Sequence, residues 1–245
     1  MDSDKNIVCI KWGDKFSADY VNKLYNMVQR NLSLKHRFIC LTEDSTDLNS
    51  NIEVFPITRN DLEYCWNKLV LFEKKLYDIN GTILFFDLDI VIINSIDDLF
   101  LFQPGYRGLG PPKSEFVSIK DWAFPDRCLN ASIMRMNGNF DYIIEEFYRL
   151  RTSGQLMESR EYDDYLGSFD KVTYVLPDMP PLIFYGDQEW TTYQLTQQKA
   201  KITWYPENWL KSYKFGYDMS TKIVVFHGSP KPHEVNDKWV REYWK

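Results

Sequence analysis

A single α/β domain built on a central, mixed but mostly parallel sheet flanked by helices is the fold class this sequence predicts, and three observations predict it. Apolar strand-like runs alternate with helix-like stretches from Asn6 through residue 95, an order that pairs strands in parallel through crossover connections. Hydrophobic residues make up 44% of the 245, enough to fill one sizeable core. No internal repeat, low-complexity tract or linker breaks the chain, so one domain is expected over residues 1–245.

The elements follow in order. Asn6 to Lys11 (N-I-V-C-I-K) reads as a buried strand, and Ser17 to Leu32 carries Tyr20, Leu24, Met27 and Val28 at helical spacing behind a capping serine. Arg37 to Leu41 and Ile52 to Phe55 are the second and third strands, and Trp66 to Tyr77 an amphipathic helix. The fourth strand begins at Thr82, after the turn signal Asn80-Gly81. In the second half Gly105 to Pro112 reads as a loop, Ala131 to Met136 as a strand and Phe140 to Arg151 as a helix. Val172 to Leu176 is a strand, Asp187 to Gln198 a helix, and Lys222 to His227 a last strand.

Composition narrows the function. A net charge of −6 and a pI near 5.2 argue against a nucleic-acid binder, which neutralises phosphates with clustered Lys and Arg. The polar opening M-D-S-D-K-N and the lack of a run of roughly 20 apolar residues predict no signal or transmembrane segment. Cys9, Cys40, Cys65 and Cys128 lie far apart without a C-x-x-C pair, so a reduced, cytoplasmic protein is expected. The Asn-x-Ser/Thr triplets at Asn31, Asn80 and Asn130 carry little weight without a secretory route.

The stretch T-I-L-F-F-D-L-D-I-V-I-I-N, Thr82 to Asn94, puts two carboxylates inside one of the most apolar segments of the chain. A buried charge costs several kcal/mol unless it is paired or bound to a metal. In a parallel α/β sheet, however, ligands collect at the carboxyl ends of the strands. Asp87 and Asp89 follow such a strand, and acids two apart at a strand end suit a hard cation such as Mg²⁺ or Mn²⁺; solvated turn carboxylates are the plainer alternative.

Three further stretches add to this one. F-H-G-S-P-K-P-H, Phe226 to His233, follows another apolar strand. It offers His227 as an imidazole ligand, Gly228 for close backbone approach to an anion and Lys231 as a charge for phosphate, or simply a turn with a surface lysine. His36 and His233 read as ordinary surface residues. Y-G-D-Q-E-W, Tyr185 to Trp190, places Asp187 where a helix cap would also stand. C-L-N-A-S, Cys128 to Ser132, brings a polar Asn130 into a strand, or marks no more than a turn.

Taken together, W-N-K-L (Trp66 to Leu69), F-F-D-L-D-I-V-I-I-N-S-I-D-D-L-F (Phe85 to Phe100), L-N-A-S (Leu129 to Ser132), G-D-Q (Gly186 to Gln188) and H-G-S-P-K-P (His227 to Pro232) resemble the GT-A glycosyltransferases of family 8. That group includes glycogenin and bacterial lipooligosaccharide galactosyltransferases. The resemblance implies a GT-A, Rossmann-like nucleotide-diphospho-sugar transferase fold. It implies a retaining hexosyltransferase that moves a sugar from a nucleotide sugar, most often a UDP-sugar, to a glycan or other hydroxyl acceptor. It further implies Mn²⁺ (or Mg²⁺) held by Asp87, Asp89 and His227, and a diphosphate met by Gly228 and Lys231. Lys68, Asp87, Leu88, Asn130 and Ala131 would line the donor, with Asp187 and Gln188 as the catalytic pair and Ile10, Lys11 and Trp12 near the base. Departures from the family's usual pattern stand at Ser132, at E-W-T-T after Gln188 and at His233; the last two bear on the sugar and the acceptor, not on the metal.

Retention by double displacement needs a carboxylate nucleophile, and Asp187 is the candidate; Gln188 only hydrogen-bonds, so a front-face route is equally compatible. The acceptor is expected against the second half, which holds Trp190, Trp204, Trp209, Trp239 and Trp244, although most of these suit core filling. Two other readings use the same residues. A nucleotidyltransferase also binds Mg²⁺ with an acid pair, but the early K-W-G-D-K (Lys11 to Lys15) is no glycine-rich phosphate loop. A nucleotide-sugar binding module would keep the fold without turnover.

Overall fold

The structure, a computed structural model, describes residues 4–103, 115–163, 167–175 and 180–245; the expected loop Gly105 to Pro112 lies outside them. In chain order the elements are β1 (Lys5–Lys11), α1 (Ala18–Asn31), β2 (Arg37–Thr42), β3 (Glu53–Phe55), a 3₁₀ segment (Tyr64–Phe72), β4 (Thr82–Phe86), β5 (Ile90–Ile92) and α2 (Asp97–Leu101). Then come β6 (Glu115–Lys120), β7 (Leu129–Asn137), α3 (Tyr142–Thr152), β8 (Leu156–Asp163), β9 (Gly167–Tyr174) and β10 (Leu182–Phe184). The chain continues with α4 (Asp187–Gln197), β11 (Ile202–Trp204), β12 (Leu210–Ser212), β13 (Ile223–Val225) and α5 (Lys238–Tyr243).

A seven-stranded sheet in the order β11-β6-β7-β4-β1-β2-β3 forms the centre. β1, β2, β3 and β4 are parallel, as expected, and β7 alone runs against both of its neighbours. This direction change positions the site. The carboxyl ends of β1, β4 and β6 and the amino end of the reversed β7 all reach the same edge of the sheet, so loops distant in sequence meet there.

Two apolar clusters cover the faces of this sheet. Tyr20, Val21, Leu24, Met27 and Val28 of α1 pack on one with Phe86, Ile90 and Val225. Trp66, Leu69, Phe147 and Trp190 pack on the other with Phe85 and Met134. At about 25 cal/mol per Å² of apolar surface buried, these faces supply the main drive for folding. The turn into β4 needs glycine: Gly81 has φ +87°, and a Cβ there would lie 2.4 Å from the Asp4 carbonyl oxygen.

A separate three-stranded sheet, β12-β13-β5, pairs β13 antiparallel to β5 with Val225 opposite Ile90. Just beyond that pair, Phe226 donates its N–H to the Asp89 carbonyl at 2.9 Å. The register therefore sets F-H-G beside D-L-D, 138 residues apart in sequence for His227 and Asp89.

Three local expectations change. Trp66 to Tyr77 is not an amphipathic α-helix; a 3₁₀ segment ends at Phe72, and Trp66, Asn67 and Leu69 to Phe72 are all buried, leaving no polar face. Ser17 precedes α1 but its side chain makes no capping bond; its carbonyl accepts from Tyr20 N–H instead. At α4 the capping place belongs to Gly186, and Asp187 is the first helical residue. All four cysteines are free, with Cys9 and Cys40 buried opposite each other on β1 and β2.

Candidate active site

The acid pair lies where β4 ends. Asp87 is half-buried and its N–H donates to the Ser132 carbonyl of β7 at 2.9 Å, which ties the strand end to its neighbour. Asp89 is 8% exposed and leads into β5. The side chain of Leu88 between them sits in the core, so only its backbone faces the rim.

Each acid has its own lysine. Lys68, from the 3₁₀ segment, donates to Asp87 Oδ2 at 2.9 Å and to the Ala131 carbonyl at 3.4 Å, and stands 3.8 Å from Asp187 Oδ2. Lys231 donates to Asp89 Oδ2 at 2.5 Å and to the Phe226 carbonyl at 3.1 Å. Burial pulls the Lys68 ammonium down, but Asp187 and Asp87 outweigh it and leave it above the usual lysine range. Burial and then the charge of Asp87 push the Asp89 carboxyl up, against the pull of Lys231.

Asp187 is buried at the start of α4, and its Oδ2 has no hydrogen-bond partner. Burial raises its carboxyl to about 6, with Lys68 opposing and Asp87 adding to the rise. Gln188, half-buried beside it, donates to Asp121 Oδ2 at 3.4 Å and to Cys128 Sγ at 3.5 Å. Asn130 is buried; it donates to Asp121 Oδ2 at 3.3 Å and accepts from Ser132 N–H at 3.0 Å.

His227 follows β13. Its Nε2 is 2.7 Å from Ser212 Oγ, and its ring stacks on Trp122 with centroids 5.4 Å apart and planes 17° from parallel. Burial, then Lys214 and Lys231, lower its pKa, and Asp121 opposes them. The imidazole is thereby kept neutral, the form that binds a cation. Gly228 takes φ +67°, the left-handed region that favours glycine, and the Lys214 ammonium lies 3.2 Å from where a Cβ would stand.

The remaining expected residues lie at the end of β1 and just past it. Lys11 is buried; Ile10 and Trp12 are half-buried, Ile10 packing against the core and Trp12 meeting Tyr64 edge-on at 5.1 Å. Of the tryptophans expected near an acceptor, Trp190 and Trp244 are buried core residues and Trp204 is exposed. His233 is exposed, as expected, and bonds Tyr20 through Nδ1.

Asp121 and Trp122 are the residues that sequence reasoning missed. Asp121 follows β6, a strand not read from the sequence. Its Oδ1 accepts the N–H groups of Ala123 and Phe124, both at 2.9 Å, while its Oδ2 takes the amides of Asn130 and Gln188. The signal was there in E-F-V-S-I-K, a short run rich in apolar residues that ends at this acid.

Two carboxylates and a neutral imidazole fit a hard divalent cation in donor type. Burial first, and then the charge of Asp87, raise both Asp89 and Asp187, and a dication held there would favour their ionised forms. Among the described residues, however, no three such side chains converge as a closed ligand group. Asp87 turns to Lys68, Asp89 to Lys231 and His227 to Ser212. A cavity of about 310 Å³ lies elsewhere, lined by Asp61, Trp66, Phe147, Arg151 and Val172 among others, and contains none of these groups. The site is defined by converging strand ends, not by that cavity.

No protein-family model and no curated protein matches this sequence. Solved structures do match in fold. The galactosyltransferase LgtC, in complex with donor and acceptor sugar analogues, superposes with a TM-score of 0.57 at 12% identity, covering 93% of this chain and 88% of that one. An active-site variant of LgtC gives a TM-score of 0.58 at 13% identity, covering 97% and 93%. The bifunctional glycosyltransferase WbbM, in its apo form, gives 0.56 at 12%, covering 99% of this chain and 51% of its own. The fold is that of the GT-A glycosyltransferases, as the sequence predicts.

Proposed function

We propose that this protein is a metal-dependent, retaining glycosyltransferase that moves a sugar from a nucleotide sugar, a UDP-sugar in the first instance, to a glycan or other hydroxyl acceptor. One observation carries the reading: D-L-D and H-G-x-x-K meet through the β5–β13 register at the strand-end edge of a GT-A sheet, with Asp187 and Gln188 opening the helix beside them.

Asp87, Asp89 and His227 would hold Mn²⁺ or Mg²⁺. A divalent ion there supplies Lewis-acid stabilisation of the negative charge that develops on the departing phosphate. Lys231 and the exposed backbone at Gly228 bind the same phosphates. Lys68 neutralises Asp87 and Asp187 and fixes the Ala131 carbonyl at the donor side. Asp121 orients the amides of Asn130 and Gln188 toward the sugar, and Ile10 to Trp12 border the base. Double displacement would use Asp187 as nucleophile. In a front-face transfer Asp187 and Gln188 would steady the sugar while the acceptor attacks from the side the phosphate leaves.

The nucleotidyltransferase reading is weaker on a specific ground. The Gly13 N–H in the loop after β1 donates to the Glu43 carboxylate at 2.5 Å, so an acid already occupies an amide that a phosphate loop would offer. Incubation with Mn²⁺ and a panel of nucleotide sugars tests the transferase. Release of nucleoside diphosphate, stopped by EDTA, is expected. No release from any donor, alone or with hydroxyl acceptors, would leave only a binding module.

A further inference from the structure

We propose that Lys231 is a placeholder for the divalent cation: its ammonium occupies Asp89 until a metal takes that carboxylate, and its displacement then delivers it to the donor diphosphate. This rests on the metal-diphosphate reading above and describes how that site is regulated. The contact is close and sheltered, with Nζ 2.5 Å from Oδ2 and side-chain exposures of 14% and 12%. A buried carboxylate cannot serve a lysine and a dication fully at once, because the two cations repel in a poorly screened place.

The lysine is also held for release. Its backbone N–H is fixed by the Glu234 carboxylate at 2.5 Å, and Pro232 follows it directly, so the chain at Lys231 stays put while four side-chain bonds remain to swing the ammonium. Its other contacts are weaker, the Phe226 carbonyl at 3.1 Å and the face of the Phe16 ring at 5.7 Å from the centroid. Lys68 lacks this freedom, being bracketed by Asp87, Asp187 and the Ala131 carbonyl. The consequence is coupling: metal binding raises affinity for the diphosphate partly by freeing Lys231, and by linkage the diphosphate raises affinity for the metal.

The test is Mn²⁺ binding to the full chain without nucleotide, followed by the electron paramagnetic resonance signal of free Mn²⁺. Lys231→Met is expected to bind Mn²⁺ about tenfold more tightly than the parent, since it removes a charge-assisted competitor. Lys231→Arg keeps the competing ion pair and should not tighten binding. Lys74→Ala removes an exposed charge beside the turn into β4, at the opposite end of that strand from the acids, and should change affinity by no more than about twofold. With UDP present, the Mn²⁺-dependent gain in UDP affinity should shrink in Lys231→Met. Unchanged or weaker Mn²⁺ binding by Lys231→Met, or equal tightening by Lys231→Arg or Lys74→Ala, overturns the placeholder. Asp89→Asn separates the two ideas: if it abolishes Mn²⁺ binding while Lys231→Met leaves affinity unchanged, the metal site stands and the placeholder falls. If the parent and Asp89→Asn bind Mn²⁺ equally, the metal site itself falls.

Discussion

Phe226 donates its backbone N–H to the carbonyl of Asp89 at 2.9 Å, and that bond sets His227 beside an acid pair nearly 140 residues upstream. The consequence for mutation is direct. Asp89→Asn and His227→Ala each remove a proposed ligand at the rim while the β5–β13 ladder, made of backbone bonds, remains. Transfer should fall by at least about a hundredfold in each, the scale of losing a main transition-state stabiliser. Circular dichroism should match the parent. Near-parental turnover with added Mn²⁺ in either variant would remove that residue from the metal site.

Asp187 links function to stability. Its carboxyl titrates near 6 in the fold, against 3.8 for an ordinary aspartate. Between about pH 4 and pH 6 the folded chain holds a proton that the unfolded chain has released, so stability falls as pH rises through this window and stays lowered above it. Asp187→Asn escapes the penalty. It should be more stable than the parent at pH 7.5 by about 1 to 3 kcal/mol, or some 2 to 10 °C in melting temperature, and no more stable near pH 4. A pH-independent difference would contradict the burial argument. The same variant should lose transfer, a stability cost kept for activity.

Under the proposed function Asp121 would brace the sugar side rather than the phosphate side, through the amides of Asn130 and Gln188. Asp121→Ala frees the amides of Asn130 and Gln188 and loosens the turn at Ala123 and Phe124. The expectation is a fall in kcat of about tenfold to a hundredfold, the worth of a lost charge-assisted contact, with UDP affinity nearly unchanged. Titration calorimetry with UDP and Mn²⁺ checks this; an equal loss in UDP affinity would place Asp121 at the nucleotide.

Legibility in the sequence followed locality. The parallel half was readable because N-I-V-C-I-K, R-F-I-C-L and T-I-L-F-F are apolar runs broken by clear helix and turn signals. D-L-D and H-G could be placed at strand ends for the same reason. What failed depended on long-range contact. The segment from Trp66 shows helix-like apolar spacing yet is buried on every side against α3 and α4, and there a 3₁₀ form prevails. The role of Asp121 is not legible locally, because its partners at 130 and 188 come from other elements. No periodicity reveals which lysine meets which acid: Lys231 and Asp89 are 142 residues apart.

The central claim is a site completed jointly by a divalent cation and a nucleoside diphosphate, and a thermal melt with Mn²⁺, UDP and both tests it most directly. At about 100 times its dissociation constant a ligand that binds only the folded chain adds roughly 2.7 kcal/mol, or about 5 to 10 °C for a chain of this size. UDP and Mn²⁺ together should raise the midpoint by that amount and by more than the sum of the two separate shifts, with EDTA erasing the joint effect. Equal metal-dependent shifts with GDP or ADP would move the donor away from UDP while keeping the site; no synergy with any nucleotide would contradict the transferase reading itself.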